Sequence, residues 1–124
     1  MDGMLKQEGY QLLGAAMEVY NVMKHGYLEN VYQECLEREL GIRNVPFKSQ
    51  VQLELVYKGQ PLKSTYRPDL LVYGEIIVEL KAIRGMRDEC LPQILNYLKA
   101  TGKRVGYLLN FGYPRDLEYR RVIL

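Results

Sequence analysis

Apolar residues recur at helical spacing through the first third of the chain. Leu12, Leu13, Ala16, Met17, Tyr20 and Met23 make one stripe, and Leu28, Val31, Tyr32, Cys35, Leu36 and Leu40 make a second. His25-Gly26 separates the two helices this predicts, Gly41 is expected to stop the second, and Asn44-Val45-Pro46 leads into extended chain. From Val51 the period falls to two: Val51, Leu53, Leu55 and Tyr57 alternate with Gln52, Glu54 and Lys58, as in a half-buried strand. Lys58-Gly59 reads as a turn. A second strand is expected through Ser64 to Tyr73, a further turn at Tyr73-Gly74, and a third strand from Glu75 to Lys81. The middle of that third strand, Ile76-Ile77-Val78, is apolar on both faces, which places it centrally in its sheet. A charged loop holding Arg84, Gly85 and Arg87 precedes a third helix marked by Leu91, Ile94, Leu95 and Leu98, which runs out at Thr101-Gly102. Val105 to Phe111 then reads as a buried strand, and Val122-Ile123-Leu124 offers an edge strand. The order is helix, helix, three strands, helix, strand, expected as one domain over residues 1–124 with no repeat, linker or low-complexity stretch.

Composition narrows the class. A chain of 124 residues that is 48% hydrophobic and 26% charged has the balance of one globular domain. A core of this size needs neither a disulfide nor a structural metal. Cys35 and Cys90 each fall within a helical stripe, so reduced thiols in a reducing compartment are expected. The start Met1-Asp2-Gly3-Met4-Leu5-Lys6-Gln7-Glu8 is too polar for a signal peptide, and no apolar run is long enough to cross a bilayer. A cytoplasmic protein with no membrane partner is therefore expected. The net charge of +2 is too small to imply a broad basic surface, so an anionic substrate must be drawn in locally. The single histidine, His25, argues against a histidine-rich zinc site, and no Walker loop or dinucleotide fingerprint is present.

The out-of-place polar residues lie between Arg67 and Lys81, where Arg67-Pro68-Asp69 and Glu79-Leu80-Lys81 put charges at the ends of adjacent apolar strands. Side chains alternate along a strand, so Glu79 and Lys81 emerge on one face while Leu80 turns to the other. The tight turn allows Asp69 to sit nearby. Two converging carboxylates make a hard-oxygen site suited to Mg2+ or Mn2+, completed by water and a substrate phosphate. A neighbouring ammonium then orients water or stabilises developing negative charge. This combination is suited to phosphodiester hydrolysis.

These residues resemble the PD-(D/E)XK nuclease superfamily, whose signature is read as Pro68-Asp69, nine intervening residues, then Glu79-Leu80-Lys81. The resemblance implies a restriction-endonuclease-like three-layer α/β/α core with a central mixed sheet of four or five strands. It also implies that Asp69, Glu79 and the Leu80 main-chain carbonyl hold the metal and that Lys81 is the catalytic lysine. Gly26-Tyr27-Leu28-Glu29-Asn30-Val31-Tyr32 is similar to the GxxExxY motif of a small branch of the superfamily, which brings Glu29 toward the metal with Tyr32 beside it. Gln93-Ile94-Leu95-Asn96-Tyr97 resembles the QxxxY element of the recombination-exonuclease branch; its i to i+4 spacing puts Gln93 and Tyr97 on one helix face. The resemblance covers nearly the whole chain, from about Leu12 to Gly112.

Each feature has a plainer reading. Asp69, Glu79 and Lys81 are also a strand-end salt-bridge cluster, Glu29 a first-turn acid favouring the helix dipole, and Tyr32 and Tyr97 amphipathic core residues. Gln93 suits a buried carbonyl, Arg67 is expected to support substrate binding with Tyr32, Gln93 and Tyr97, and Arg84, Arg87, Lys99, Lys103 and Arg104 form either a phosphate rim or a set of solvated charges. The reading that follows is a magnesium-dependent nuclease acting on DNA, with Glu29, Asp69 and Glu79 around the metal and Lys81 assisting the attacking water. Its rivals are a catalytically silent module of the same fold that binds nucleic acid or a protein, and a structural subunit of a larger assembly. So small a domain is expected to need a second copy, as a homodimer, or a protein partner to grip its substrate.

Overall fold

The apolar stripes fold as their spacing dictates. The computed structural model describes residues 5–124, and the polar start Met1-Asp2-Gly3-Met4 lies outside the described residues. Helices α1 (Lys6–Met23) and α2 (Glu29–Ile42) are followed by strands β1 (Phe47–Lys48), β2 (Leu53–Tyr57), β3 (Gln60–Tyr66), β4 (Leu70–Val72) and β5 (Ile76–Lys81). Helix α3 (Cys90–Thr101), β6 (Val105–Asn110) and β7 (Glu118–Ile123) complete the chain. Gly41 stays inside α2, and the left-handed residue that ends this turn is Asn44, with φ 58°. The asparagine side chain tolerates that conformation, so the helix gains a residue beyond the expected stop.

The main sheet runs β1-β4-β5-β6-β7, mixed, with only β5 and β6 parallel. Its central strand is β5, as the doubly apolar Ile76-Ile77-Val78 requires, and all three are fully buried. One face carries Leu70, Val72, Ile76, Val78, Leu80 and Leu109 against α1 and α2. The other carries Leu71, Ile77, Leu108 and Val122 against Ile94 and Leu98 of α3. This is a three-layer α/β/α arrangement around a five-stranded mixed sheet.

Two expectations change. The single strand from Ser64 to Tyr73 is broken at Arg67-Pro68-Asp69: β3 pairs only with β2 in a separate ribbon, and β4 belongs to the main sheet. Proline has no N–H for a ladder and restricts the residue before it, so the chain leaves one sheet there and enters another. The main sheet instead recruits β1 and the tail, where the edge strand is the six-residue β7 rather than Val122 to Leu124 alone. Both cysteines are free and partly buried, and no helix among the described residues is long and apolar enough to cross a membrane.

Candidate active site

The position of the acids follows from one turn. Tyr73 and Gly74 have φ 55° and 71°, and the Glu75 N–H donates to the Val72 carbonyl at 3.1 Å, so a tight turn opens the three-residue loop 73–75 between β4 and β5. That turn fixes the register Val72↔Ile76, Leu71↔Ile77, Leu70↔Val78. One further step along the same ladder sets Asp69 opposite Glu79, on the sheet face shared by Ile77.

Hydrogen bonds tie the two acids across this strand end. The Asp69 N–H donates to Glu79 Oε1 at 3.1 Å, and the Leu80 N–H donates to Asp69 Oδ2 at 2.7 Å. Each carboxylate thereby holds the other residue's strand through one oxygen. Lys81 lies two residues beyond Glu79 on the same face, half-buried. On the α2 side, Gln33 Nε2 donates to the Asp69 carbonyl at 3.0 Å and to Glu37 Oε2 at 3.2 Å. Glu29 stands one helical turn before Gln33, on the same side of α2.

Electrostatics couple the group. Burial pushes the Glu79 carboxyl above the usual range; the Asp69 N–H opposes this, the Asp69 charge adds to it, and Lys81 opposes it more weakly. Glu29 is exposed overall, yet its carboxyl is also pushed up, by partial burial and then by the Asp69 charge, with Lys81 acting in the opposite sense. Glu29, Asp69, Glu79 and Lys81 therefore share one field. Among the described residues no three His, Cys, Asp or Glu side chains gather tightly enough to hold an ion by themselves. The donor set that does converge is Asp69 with Glu79. Lys81 directs its carbonyl to the Phe111 N–H of the β6 side, so peptide alternation turns the Leu80 N–H and C=O to the opposite, Asp69 edge. Two hard carboxylates whose mutual repulsion raises Glu79 suit a divalent cation, which would relieve it.

Tyr66 was not singled out in the sequence. It is 5% exposed, its ring stacks on Tyr97 with centroids 3.8 Å apart and 7° between planes, and its buried hydroxyl lies beside Glu79 without a hydrogen bond of ordinary geometry. Burial and the Glu79 charge push that phenol far up. The signal for it was weak: an aromatic immediately before Arg67-Pro68-Asp69. Gln33 and Asn110 were missed as well. Asn110, fully buried opposite Lys81, accepts from the Ile83 and Gly112 N–H groups and donates to the Ile83 carbonyl and Glu118 Oε1, which fixes the loop leaving β5.

Other expected residues lie differently. Tyr32 is fully buried: its hydroxyl donates to the Lys24 carbonyl and accepts the Tyr27 N–H, and its ring stacks on Phe111. It closes the α1–α2 loop, where Gly26 takes a φ of 119°. The Gln93–Tyr97 pair splits, with Gln93 exposed and Tyr97 turned to Tyr66. Arg67 is exposed and reaches Gln50 Oε1 at 3.4 Å. The expected basic rim is not continuous. Lys103 binds the Gly74 carbonyl and Glu75, and Arg104 binds the Leu124 carbonyl, both at the end of the sheet where β5 begins. Arg84 and Arg87 remain at the site's end, in the loop after β5. The better-formed cavities, about 360 Å³, lie along α1 and β7 around Tyr119 instead.

The chain matches the family model of the PD-(D/E)XK nuclease superfamily over residues 6–122. Among solved structures it is similar to the crystal structure of SSO0001, with a TM-score of 0.56 and 22% identity over 76% of this chain and 48% of that one. The match thus spans about half of that protein's length, and at this identity the likeness is one of fold. No curated protein matches the chain.

Proposed function

Given that the chain belongs to the PD-(D/E)XK nuclease superfamily, we propose that it is a metal-dependent nuclease hydrolysing phosphodiester bonds in DNA, with Asp69, Glu79 and Lys81 at its centre. Within the superfamily, Gly26, Glu29 and Tyr32 support placing it in the GxxExxY branch. Asp69, Glu79 and the Leu80 carbonyl would hold Mg2+ or Mn2+, and Glu29 would act on the same ion through water. When bound, such an ion supplies positive charge that screens the phosphate and acidifies water.

The chain's own residues do the rest. The Glu79 carboxylate is held by the Asp69 N–H and the Asp69 carboxylate by the Leu80 N–H, so both are placed before substrate arrives. Gln33 fixes the Asp69 carbonyl from α2. The Lys81 ammonium orients the attacking water and stabilises negative charge growing on the phosphate oxygens. Tyr66, clamped by Tyr97, walls the buried side of Glu79 and keeps bulk water from it. The observation that carries this reading is the pair of hydrogen bonds, Asp69 N–H to Glu79 and Leu80 N–H to Asp69, that bring the two carboxylates together at one strand end.

The test is cleavage of labelled single- and double-stranded DNA with Mg2+ or Mn2+. Wild-type protein should cut, EDTA should stop it, and Lys81→Ala and Asp69→Ala should each lose about 100-fold or more while keeping a wild-type circular dichroism spectrum. Intact DNA in every metal, together with a retained gel shift, would instead make the chain a silent binding module.

A further inference from the structure

The β2–β3 ribbon does not join the main sheet. Its root is anchored: Val51, Leu53 and Leu55 pack with Leu91, Leu95 and Tyr97 of α3, and Leu53 pairs with Tyr66. Beyond the root it is bare. Residues 60–65 of β3 are all exposed, and Tyr57 and Leu62 beside the tip are 62% and 44% exposed. Lys58-Gly59 makes the turn, and the register shifts between Glu54 and Val56, a bulge that increases the twist of a two-stranded ribbon.

Charge is concentrated here. Between Lys48 and Arg67 the chain has four basic residues, Lys48, Lys58, Lys63 and Arg67, against the single acid Glu54. This stretch alone exceeds the net charge of +2 of the whole chain, so the remainder is slightly acidic. All four are exposed, and none takes part in the ion pairs formed among the described residues. Lys58 lies 5.5 Å over the Tyr57 ring. β3 ends at Tyr66, and the chain continues through Arg67 and Pro68 to Asp69. From Lys58 to Tyr66 an extended chain covers roughly 25 Å, the length of about seven nucleotide steps of a duplex at about 3.4 Å each.

We propose that the β2–β3 ribbon is a substrate arm that grips the phosphate backbone of nucleic acid through Lys58, Lys63 and Arg67 and leads it to Asp69 and Glu79. The proposal rests on the nuclease reading for its substrate class. The arm holds charge rather than sequence, since Lys58 and Lys63 put two ammonium groups beside the single amide of Gln60 at its tip.

The experiment measures fluorescence anisotropy of a labelled DNA duplex and of its single strand, titrated with protein in EDTA over a range of salt concentrations. Lys58→Gln/Lys63→Gln is compared with wild type and with Lys6→Gln/Arg115→Gln, a charge-matched change on the α1–β7 side. The arm variant should bind roughly tenfold or more weakly, and its log–log salt slope on the duplex should shrink by about two. The control should keep the wild-type slope, and whichever DNA form shows the larger loss is the form the arm holds. An unchanged slope in the arm variant, an equal loss in the control, or no binding by wild type would overturn the proposal. Failure of the nuclease reading looks different: arm-dependent binding would persist while Mg2+ or Mn2+ produced no cleavage. Cleavage by the arm variant at a wild-type KM would remove the arm and leave the nuclease.

Discussion

Glu79 is the residue whose burial stability alone does not account for. Its raised carboxyl value means that the folded chain holds the Glu79 proton more tightly than the unfolded chain does. The stabilising contribution is present below the ordinary carboxylate range and is lost as pH rises through the raised value, so above that value the metal-free protein carries a strained charge. Glu79→Gln keeps an oxygen for the Asp69 N–H and removes that charge. In EDTA at neutral pH it should raise Tm by roughly 3–5 °C, equivalent to about 1 kcal/mol in a domain of this size. The gain should shrink as pH is lowered and wild-type Glu79 takes up its proton, while cleavage is lost. Thermal scans across pH check this, and a variant that melts below wild type at neutral pH would contradict it. Tyr66 gives a second separation. Tyr66→Phe keeps the stack on Tyr97 and removes a hydroxyl without an ordinary partner, so its Tm should stay close to wild type, whereas Tyr66→Ala should cost about 3–5 kcal/mol in denaturant unfolding.

At the scale of elements, the β4–β5 hairpin explains why much of the site was legible in the sequence. Nine residues between the acids, with a three-residue loop Tyr73-Gly74-Glu75, leave three residues on each strand and put Asp69 and Glu79 opposite each other. Gly74→Ala places a side chain at φ 71° and should cost about 1–2 kcal/mol, read by chemical denaturation, while loosening the register that holds the acids together. The helices were legible because apolar periodicity reports the buried face directly. The ribbon was misread because apolar Leu70-Leu71-Val72 continues the extended pattern past Pro68, and the pattern says nothing of which sheet a strand joins. Gln33 and Asn110 were illegible for another reason: their partners are main-chain groups 36 and 27 residues away, which leave no local pattern. The loop that Asn110 fixes is equally intolerant at Gly112, where a Cβ would lie 2.4–2.5 Å from the Ala82–Ile83 backbone. Gly112→Ala should cost at least about 1–3 kcal/mol on the same assay, because backbone cannot move aside as a side chain can.

At the scale of the whole molecule, the apolar layers and the charged features divide the work. The two cores on either side of the sheet hold the fold, and the acids sit where β4 and β5 run out of those cores. On the proposed reading, folding and the holding of a metal are separable. Mn2+ at about 100 times its Kd should add about 2.7 kcal/mol to stability, a Tm rise of roughly 10 °C, in wild type and not in Asp69→Asn. The most direct test of the central claim is the anomalous signal of manganese in crystals soaked with Mn2+. A peak about 2.1 Å from the carboxylates of both Asp69 and Glu79, with the Leu80 carbonyl as a further ligand, is the predicted result. Manganese density elsewhere on the chain, with none between those two acids at saturating Mn2+, would contradict it.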